Sequence, residues 1–382
     1  MTDQSDGAVP STGLRLYSLL TEAGELELSL ETRPIEAPKP GDVVVRVEAA
    51  PVNPSDLGLL LGAADVSTAR TEGEGAARRT VMSVSEAGRR AMAGRVGTPM
   101  IVGNEGAGVV VAAGDGATDL IGRTVAVAGG GMYSQYRNLA AAECMVLPDD
   151  VSPAEGASCF VNPLTAFSMV ENMRMERHHA LVHTAAASNL GQMLVKLCEK
   201  DGVPLVNIVR NAAQVALLKG IGARHVCDSS APDFLAALTE AVAKTGATLA
   251  FDATGGGHLA NMILTAMEAA ALRQTTSYNR YGSTVYKQVY LYGSLDTSPT
   301  ELTRGYGVAW GVGGWLLPVF MQRVEPTRAM EMRARVAAEI RATFASHYTQ
   351  RVALDDLLRP DVLQAIARKA TGEKYLLTPA SR

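Results

Sequence analysis

The sequence is poor in cysteine and aromatic residues and has no large excess of either charge. Four cysteines in 382 residues, none in a C-x-x-C pair, exclude a disulfide scaffold and a zinc ribbon. The 35 basic and 39 acidic residues give a net charge of -4, which excludes the basic stripe of a nucleic-acid-binding protein. The most apolar stretch, 307–320, is broken by glycine and proline and is shorter than the ~20 residues of a membrane-spanning helix.

Composition and length indicate a globular protein with more than one domain. Apolar residues make up 47% and charged residues 19% of the chain, and 382 residues suit two domains. The first residues, MTDQSDGAVPSTG, are polar and lack the charged-then-apolar order of a signal peptide. We therefore expect a cytoplasmic protein.

Two kinds of pattern divide the chain. Residues 14–50 contain three strand-like runs, LRLYSLL, ELELSL and DVVVRVEAA, separated by turn residues, and two more runs follow before residue 131. From about residue 163, short apolar runs alternate with helix patterns, which predicts a parallel sheet covered on both faces. The predicted helices are 190–200, 212–219, 232–244 and 258–272. Pro232 and Asp233 open the third of these helices, and Gly246 ends it.

The stretch VHTAAASNLG, 182–191, has the position of a dinucleotide-binding loop but few of its glycines. A strand pattern precedes it and a helix pattern follows, where such loops carry G-x-G-x-x-G. Only Gly191 remains, with Ser188 and Asn189 close by. A hydroxyl, an amide and the helix N-terminus can still bind pyrophosphate.

The next strand pattern, PLVNIVR, indicates which dinucleotide binds. It ends at Arg210, nineteen positions after Gly191. NAD sites place an acidic residue near this point, whereas a 2′-phosphate favours arginine. Arg210 and the amide of Asn211 therefore predict NADPH as the cofactor. The alternative is a solvated arginine at a strand end.

Several motifs together resemble the zinc-independent medium-chain dehydrogenase/reductases, in the branch of the quinone oxidoreductases and 2-enoyl thioester reductases. The motifs that carry the resemblance are PVNPSD (51–56), GNEGAGVVVAAG (103–114), YSQY (133–136), NPLTAF (162–167), HTAAASNLGQ (183–192), NIVR (207–210), GA (222–223), DATGGG (252–257) and YLYGSL (290–295). The resemblance implies an α/β chain with a GroES-like, β-rich catalytic domain and a Rossmann domain with a doubly wound parallel sheet. The expected boundaries are 1–161 with 346–382 for the first domain and 162–345 for the second.

Zinc ligands of the family are missing. Members with catalytic zinc have a histidine where GNEG has Asn104, and a cysteine before it, but residues 1–103 contain no cysteine. A catalytic zinc needs about three protein ligands. We expect no metal, and hydride transfer to an acceptor that is already electrophilic.

The resemblance also assigns site residues. It gives Asn53 a catalytic role near the nicotinamide. Tyr133 is a candidate acid in place of tyrosines that the family has and this chain lacks, and its alternative is a buried ring with a satisfied hydroxyl. The residues expected to bind the cofactor are Asn162, Thr165, Ser188, Asn189, Leu190, Arg210, Asn211, Thr254, Gly255, Tyr292, Gly293 and Lys374.

Two tyrosines expected from the relatives are absent. Enoyl thioester reductases carry a proton-donating tyrosine where this chain has Ala64, and quinone oxidoreductases often have one where it has Gly58. Tyr133 and Tyr292 are possible substitutes. Because the reduced oxygens of a quinone can take protons from water, the absences favour a quinone or enone acceptor.

Two segments have less certain roles. Residues 63–98 are net basic and form an insertion, which is either a lid for an anionic substrate or a solvated or dimer-stabilising arm. GVGGWLL, 311–317, is expected to pack as a helix at a subunit contact.

The sequence thus predicts an NADPH-dependent, zinc-free enzyme that reduces a quinone or an α,β-unsaturated carbonyl. Its partner is a small electrophilic acceptor, with no nucleic acid and no membrane, and the family implies a homodimer. One alternative is a 2-enoyl thioester reductase with acyl-CoA or acyl-carrier-protein substrates. Another is an NADPH-binding structural or sensor protein without significant turnover.

Overall fold

The structure is a computed structural model that describes residues 9–370 and 372–380. The chain divides into two compact units, Met1–Val161 with Arg335–Arg382, and Asn162–Ala334. The chain returns to the first unit at Arg335, before the expected residue 346. Within that unit, Arg341 binds Asp150 and Glu155.

The first unit consists mainly of antiparallel strands. Its strands are β1 (Thr12–Leu20), β2 (Glu25–Pro34), β3 (Asp42–Pro51), β4 (Ala64–Glu72), β5 (Arg79–Val84), β6 (Met100–Ile101), β7 (Glu105–Ala113), β8 (Thr124–Ala128), β9 (Tyr136–Ala140) and β10 (Met145–Val146), with β19 (Gln350–Val352) and β20 (Tyr375–Leu377) from the end of the chain. Its helices are α1 (Leu57–Leu60), α2 (Glu86–Ala91), α3 (Pro153–Gly156) and α11 (Pro360–Ala367).

These strands form two sheets around one apolar core. One sheet has the order β4-β5-β2-β1-β6, and the other has the order β10-β8-β7-β3-β20-β19 with β9 also paired to β3. In β2, Leu26 and Leu28 are buried while Glu25 and Glu27 are partly exposed, so the alternation in ELEL follows the pleat of the sheet. Burial of one face specifies this register.

The insertion at 63–98 is an integral part of the first sheet. Its strands β4 and β5 pair with each other, and β5 pairs with β2. The oxygen of Ser85 then accepts a bond from the amide of Gly88 and begins α2. The segment is thus a structured hairpin and helix rather than a solvated excursion.

The second unit alternates helices and parallel strands. Its strands are β11 (Leu181–His183), β12 (Leu205–Val209), β13 (His225–Asp228), β14 (Leu249–Asp252), β15 (Gly255–Gly257), β16 (Lys287–Leu291), β17 (Asp296–Thr300) and β18 (Trp310–Gly314). Its helices are α4 (Val161–Met175), which starts at the boundary, α5 (Asn189–Asp201), α6 (Ala212–Gly220), α7 (Phe234–Thr245), α8 (Leu259–Leu272), α9 (Leu317–Met321) and α10 (Pro326–Ala338), which ends beyond it.

The main sheet has the order β13-β12-β11-β14-β16-β18, with all neighbours parallel. This is the doubly wound order, whose ligand edge lies at the carboxyl ends of the central strands. The predicted α/β fold class with its two domain types is confirmed. Helix ends also follow the local signals, since α7 begins after Asp233 and ends at Gly246, which has a left-handed φ of +68°.

The prediction for GVGGWLL is wrong in its secondary structure. Residues 310–314 form β18, which pairs with β16 at the edge of the sheet, and the short helix α9 begins only at Leu317. Glycine has low helix propensity, and pairing to β16 supplies the hydrogen bonds that a strand needs. Trp315 instead packs edge-on against Phe251, with the ring centroids 5.4 Å apart.

Candidate active site

The loop between β11 and α5 makes a glycine-like turn without glycine. His183 ends β11 and Asn189 begins α5, so 184–188 form the connection. Ala185 has a φ of +49°, in the left-handed region that glycine usually occupies. The backbone is therefore held in the turn despite the cost of a Cβ.

The start of α5 is closely packed against this loop. A Cβ on Gly191 would lie 2.1 Å from the carbonyl oxygen of Ala186, so a side chain is excluded there. The Ser188 oxygen accepts a bond from the Gly191 amide at 3.1 Å, which leaves its O–H able to donate. Asn189 and the buried Leu190 follow in the first turn. This cradle fits the pyrophosphate of a dinucleotide, since helix N–H groups and a hydroxyl supply donors.

Asp252 fixes the carboxyl ends of β11 and β14. Its Oδ1 accepts bonds from the Thr184 hydroxyl at 2.7 Å and from the Thr254 amide at 2.8 Å. Its Oδ2 accepts from the Gly255 amide at 3.2 Å. The loops at the ligand edge are thus tied to a buried carboxylate before any ligand binds.

The glycines of DATGGG allow two backbones to meet. A Cβ on Gly255, whose φ is +81°, would lie 2.6 Å from the carbonyl oxygen of Gly293. The Asp296 amide donates to the Thr254 carbonyl, and β17 pairs with β15 beside it. Sequence reasoning missed this strand pair, because DTSPT carries no apolar alternation.

An open cleft of about 510 Å³ lies in the second unit at the ends of β16 and β18. Its walls are Leu291, Tyr292, Gly293, Ser294, Gly314, Trp315, Leu316 and Val319. The Tyr292 hydroxyl is 2.8 Å from His183 Nε2, and the two rings stack with centroids 5.8 Å apart. Within the described residues, the buried Nδ1 of His183 and Nε1 of Trp315 have no hydrogen-bond partner. Such orphaned atoms at a ligand edge fit a site for a polar ligand.

His183 predicts an acid-sensitive second unit. Burial lowers the pKa of His183 from 6.5 to about 3. Below pH 6.5 the unfolded chain therefore binds a proton that the folded chain does not, and stability falls as the pH decreases toward 3. We expect a loss of about 1 kcal/mol per pH unit from this residue in urea unfolding followed between pH 6 and pH 4.

The variant His183→Gln keeps a polar group but removes the titration, so we expect it to flatten this pH dependence. The matched control is His179→Gln, which changes an exposed histidine of the same unit. Equal slopes for wild type and His183→Gln would contradict the prediction.

Arg210 and Asn211 follow β12 at the ligand edge. Arg210 is exposed, and its amide donates to Gln214 Oε1 at 2.9 Å. The Asn211 side-chain oxygen accepts from the Gln214 amide and begins α6, so this residue is a helix cap. Asn162 and Thr165 are buried in the first two turns of α4.

In the first unit, Glu105 is the centre of a buried hydrogen-bond cluster that includes the predicted residue Asn53. Its Oε1 accepts from the side-chain amide of Asn53 at 2.8 Å, and its Oε2 accepts from the amides of Phe160 and Val161, each at 2.8 Å. Burial raises the pKa of Glu105, while the positive charge of Lys374 opposes that shift. Asn53 thus binds this buried carboxylate directly, whereas Lys374 acts on it through its charge. Sequence reasoning did not select Glu105.

Lys374 also contacts two groups that sequence reasoning missed. Its Nζ donates to Ser158 Oγ at 3.0 Å, and that oxygen lies 2.9 Å from the Tyr348 hydroxyl. The ammonium stands 5.4 Å from the centre of the Tyr348 ring. The stretches ASCF and SHYTQ have no motif that could have predicted this cluster, because its members lie far apart in the sequence.

Tyr133 has the contacts of a packing residue. It is fully buried, and its hydroxyl donates to the carbonyl of Pro51 at 3.1 Å. Burial raises the pKa of Tyr133 well above its ordinary value. These contacts correspond to the alternative that the sequence left open, a buried ring with a satisfied hydroxyl.

The arginines of the insertion bind other groups of the first unit. Arg70 pairs with Glu25 and Glu72, and Arg79 pairs with Glu72. Arg95 donates to Ser18 and to the Leu59 carbonyl. The other contacts are Arg78 with the Leu358 carbonyl, Arg89 with the Glu22 carbonyl and Arg90 with Glu86. These bonds favour a stabilising role for the segment over a lid that holds substrate phosphates.

Clusters of metal ligands and membrane-spanning helices are both absent from residues 9–370 and 372–380. No group of three or more histidine, cysteine, aspartate or glutamate side chains there could hold a metal ion. No helix in the same ranges has the length and apolar character needed to cross a membrane. Asn104 stands at the position of the family's zinc-binding histidine. Its side-chain amide nitrogen donates to Ser55 Oγ at 3.1 Å.

Comparisons with known proteins agree with this description. The alcohol dehydrogenase GroES-like domain family matches residues 39–149. The synaptic vesicle membrane protein VAT-1 homolog of Rattus norvegicus is 27% identical over 254 residues, which are 65% of this chain and 55% of that protein. The mitochondrial enoyl-[acyl-carrier-protein] reductase of Bos taurus is 27% identical over 48% of this chain and 44% of its own length. The chain spans about half the length of these curated relatives.

Solved structures match over nearly the whole chain. A candidate NADPH:quinone reductase from Mesorhizobium loti has a TM-score of 0.70 and 26% identity, and covers 98% of this chain and 100% of that one. A second such candidate, from Bacillus thuringiensis, has a TM-score of 0.71 and 22% identity over 96% and 99% of the two chains. The resemblance that the sequence motifs carry is confirmed by these matches.

Proposed function

Because the chain resembles the quinone and enoyl reductase branch of the zinc-independent medium-chain dehydrogenase/reductases in sequence and fold, we propose that it is an NADPH-dependent oxidoreductase. Its acceptor is a quinone or an α,β-unsaturated carbonyl. The observation that carries the proposal is the loop at 184–188, where Ala185 adopts a left-handed φ of +49° and Gly191 leaves no room for a Cβ. A chain with no ligand to hold would have little reason to keep such a strained turn.

The residues of each unit have separate tasks in this function. NADPH supplies a hydride when bound. In the second unit, Ser188, Asn189 and the amide of Leu190 bind pyrophosphate, while Thr254, Gly255, Tyr292 and Gly293 line the cofactor cleft. Asn162 and Thr165 bind near the ribose and nicotinamide. In the first unit, Asn53 and Lys374 orient the nicotinamide end, and Glu105 holds Asn53 at 2.8 Å.

Arg210 selects NADPH over NADH in this proposal. An exposed guanidinium at the end of β12 binds a 2′-phosphate by charge-assisted hydrogen bonds. We expect Arg210→Ala to raise the Kd of NADPH about 10- to 100-fold and to leave the Kd of NADH nearly unchanged. Fluorescence titration with both cofactors measures this.

A matched control is Arg224→Ala, which removes an exposed arginine just before β13 that pairs with Glu199. It should change neither Kd by more than about twofold. An undiminished preference for NADPH in Arg210→Ala would remove Arg210 from the cofactor site.

The reaction is zinc-independent in this proposal, because Asn104 and the cysteine-free stretch 1–103 lack the family's zinc ligands. The acceptor must therefore be electrophilic without a Lewis acid. Orientation of the reactants and exclusion of water are then the main contributions of the protein.

The test is NADPH consumption by the purified protein, followed by absorbance, with phenanthrenequinone, cyclohexenone and crotonyl-coenzyme A in parallel. Turnover of the quinone or the enone supports the proposal, whereas turnover of the thioester alone identifies a 2-enoyl thioester reductase. Tight NADPH binding without consumption would identify a structural or sensor protein.

We further propose a cytoplasmic homodimer, and β18 lies at the edge of its sheet as a surface for such pairing.

A further inference from the structure

Another cavity of the second unit lies at the amino ends of β12 and β13. It is bounded by the last turns of α5 and α7 and by the loop 222–224 before β13, and its volume is about 240 Å³. Because the strands of this sheet are parallel, the cavity lies at the opposite end of the sheet from the cofactor loop. One water molecule takes up roughly 30 Å³, so the cavity can hold a ligand of several non-hydrogen atoms.

Asn207 is a buried polar side chain in the wall of this cavity. It is 1% exposed, and its Nδ2 donates to the carbonyl of His225 at 3.2 Å. Because a carbonyl oxygen can only accept, this bond fixes the orientation of the amide. Within the described residues, the buried Oδ1 of Asn207 has no hydrogen-bond partner. A buried acceptor costs free energy until a donor reaches it, which favours a ligand that carries an N–H or O–H group.

Cationic side chains line the same cavity. They are Arg224, Lys244 and, when protonated, His225. Burial lowers the pKa of His225, and the positive charges of Lys244 and Arg224 lower it further. Positive charges close enough to act on one another repel, and an anion bound among them relieves that repulsion.

Two carboxylates pair with these cations at the surface. Glu199, which also lines the cavity, lies 2.6 Å from Arg224, and Glu240 lies 3.4 Å from Lys244. All four side chains are well exposed. Exposed ion pairs of this kind contribute little to stability, so Arg224 and Lys244 can turn from their carboxylates to a bound anion.

We propose that this cavity binds a small oxyanion that keeps a hydroxyl group, of the hydrogen-phosphate class. The oxygens of the ligand accept from Arg224, His225 and Lys244, and its hydroxyl donates to Asn207 Oδ1. A phosphate group suits this lining because it offers several acceptor oxygens to an arginine fork and to further cations. The proposal does not depend on the proposed function, because the two sites share no residue.

Phosphate and sulfate distinguish the contribution of Asn207 from that of the cations. Both ions are tetrahedral, but at neutral pH phosphate keeps an O–H and sulfate does not. We expect inorganic phosphate to shift the ¹³Cε1 signal of His225, which is assigned by its absence in His225→Gln. Sulfate should bind about 10-fold or more weakly, because it leaves Asn207 Oδ1 unpaired. Glycerol 3-phosphate, which carries hydroxyl groups, should behave like phosphate.

Removal of the cations tests the position of the site. The double variant Arg224→Gln/Lys244→Gln should raise the Kd of phosphate about 10-fold or more. The matched control, Arg273→Gln/Arg280→Gln, removes two exposed arginines of the same unit that lie outside the cavity, with the same change in net charge. It should change the Kd less than about twofold.

Two further variants separate the alternatives. Asn207→Leu replaces the amide by an apolar group of similar volume and should remove the preference for phosphate over sulfate. If this variant does not fold, the comparison of the two ions on the wild type still decides the role of Asn207. Arg210→Ala changes the proposed cofactor site, where phosphate could also bind, and should leave the titration of His225 unchanged.

Each contrary outcome overturns the proposal. Equal binding of phosphate and sulfate would show that Asn207 takes no part in recognition. A His225 signal that neither phosphate nor glycerol 3-phosphate shifts, up to tens of millimolar, would show that the cavity holds only water. A titration that Arg210→Ala abolishes and Arg224→Gln/Lys244→Gln leaves intact would assign the anion to the proposed cofactor site, and the proposed function would stand without this one.

Discussion

Replacing Glu105 by alanine should destabilise the first unit by about 3–5 kcal/mol, because the change leaves three buried N–H donors, on Asn53, Phe160 and Val161, without their acceptor. The carboxylate is fully buried and accepts three hydrogen bonds, each of 2.8 Å, from Asn53, Phe160 and Val161. Lys374 is also buried, with 8% of its surface exposed. Urea unfolding followed by circular dichroism measures the loss.

Two charge-neutral variants separate the electrostatic from the packing contribution of Glu105 to the stability of the first unit. Glu105→Gln keeps the volume but removes the charge, and it should cost less than Glu105→Ala. Adding Lys374→Met to Glu105→Gln removes a buried cation whose charge Glu105 partly offsets, so the double variant should recover part of the loss. Glu143→Ala, at an exposed position of the same unit, should cost less than about 0.5 kcal/mol. A loss below about 1 kcal/mol in Glu105→Ala would show that the buried carboxylate does not hold the cluster together.

Replacing Gly191 by alanine should disrupt the loop at 184–188. The added Cβ would lie 2.1 Å from the carbonyl oxygen and 2.6 Å from the carbonyl carbon of Ala186, and backbone atoms cannot rotate away as a side chain can. The first turn of α5 must therefore shift away from the loop. We expect a loss of about 1–3 kcal/mol in stability and an NADPH Kd raised about 10- to 100-fold.

Gly220→Ala is the matched control for this change. Gly220 ends α6, and a Cβ added there would have no atom within 4 Å, so alanine fits and should leave the protein as stable or up to about 1 kcal/mol more stable. NADPH binding should be unaffected. Thermal unfolding and fluorescence titration of both variants give the comparison, and wild-type affinity in Gly191→Ala would show that the loop does not bind the cofactor.

Local patterns of apolar residues and glycines predicted the main strands and helices of the second unit. The strands β11, β12, β13 and β14 are short apolar runs, because a parallel sheet buries both faces, and the helices between them end where glycine appears. The same local logic failed for β18, whose glycines offer no strand pattern, and for β17. Both strands form only because a neighbouring strand supplies hydrogen-bond partners.

The residues of the candidate site also include some that the local sequence predicts and some that it does not. The loop residues Ser188, Asn189 and Gly191 were predictable, because a strand, a turn and a helix that are contiguous in sequence build them. The burial of Tyr133 and the bond from its hydroxyl to the Pro51 carbonyl were not predictable, since both depend on elements that are distant in the sequence.

The sequence by itself determined the two-domain α/β fold class, the strand-turn-helix form of the loop at 184–188 and the absence of the family's zinc ligands, since each depends on neighbouring residues or on residue identity. Only the tertiary structure decided that Glu105 binds Asn53, that the arginines of 63–98 pair within their own unit, and that Tyr348 lies beside Ser158 and Lys374. Ser158 and Lys374 are 216 positions apart, and no local pattern encodes contacts over such a separation. They follow from burial, which brings polar groups together because each must find a partner away from water.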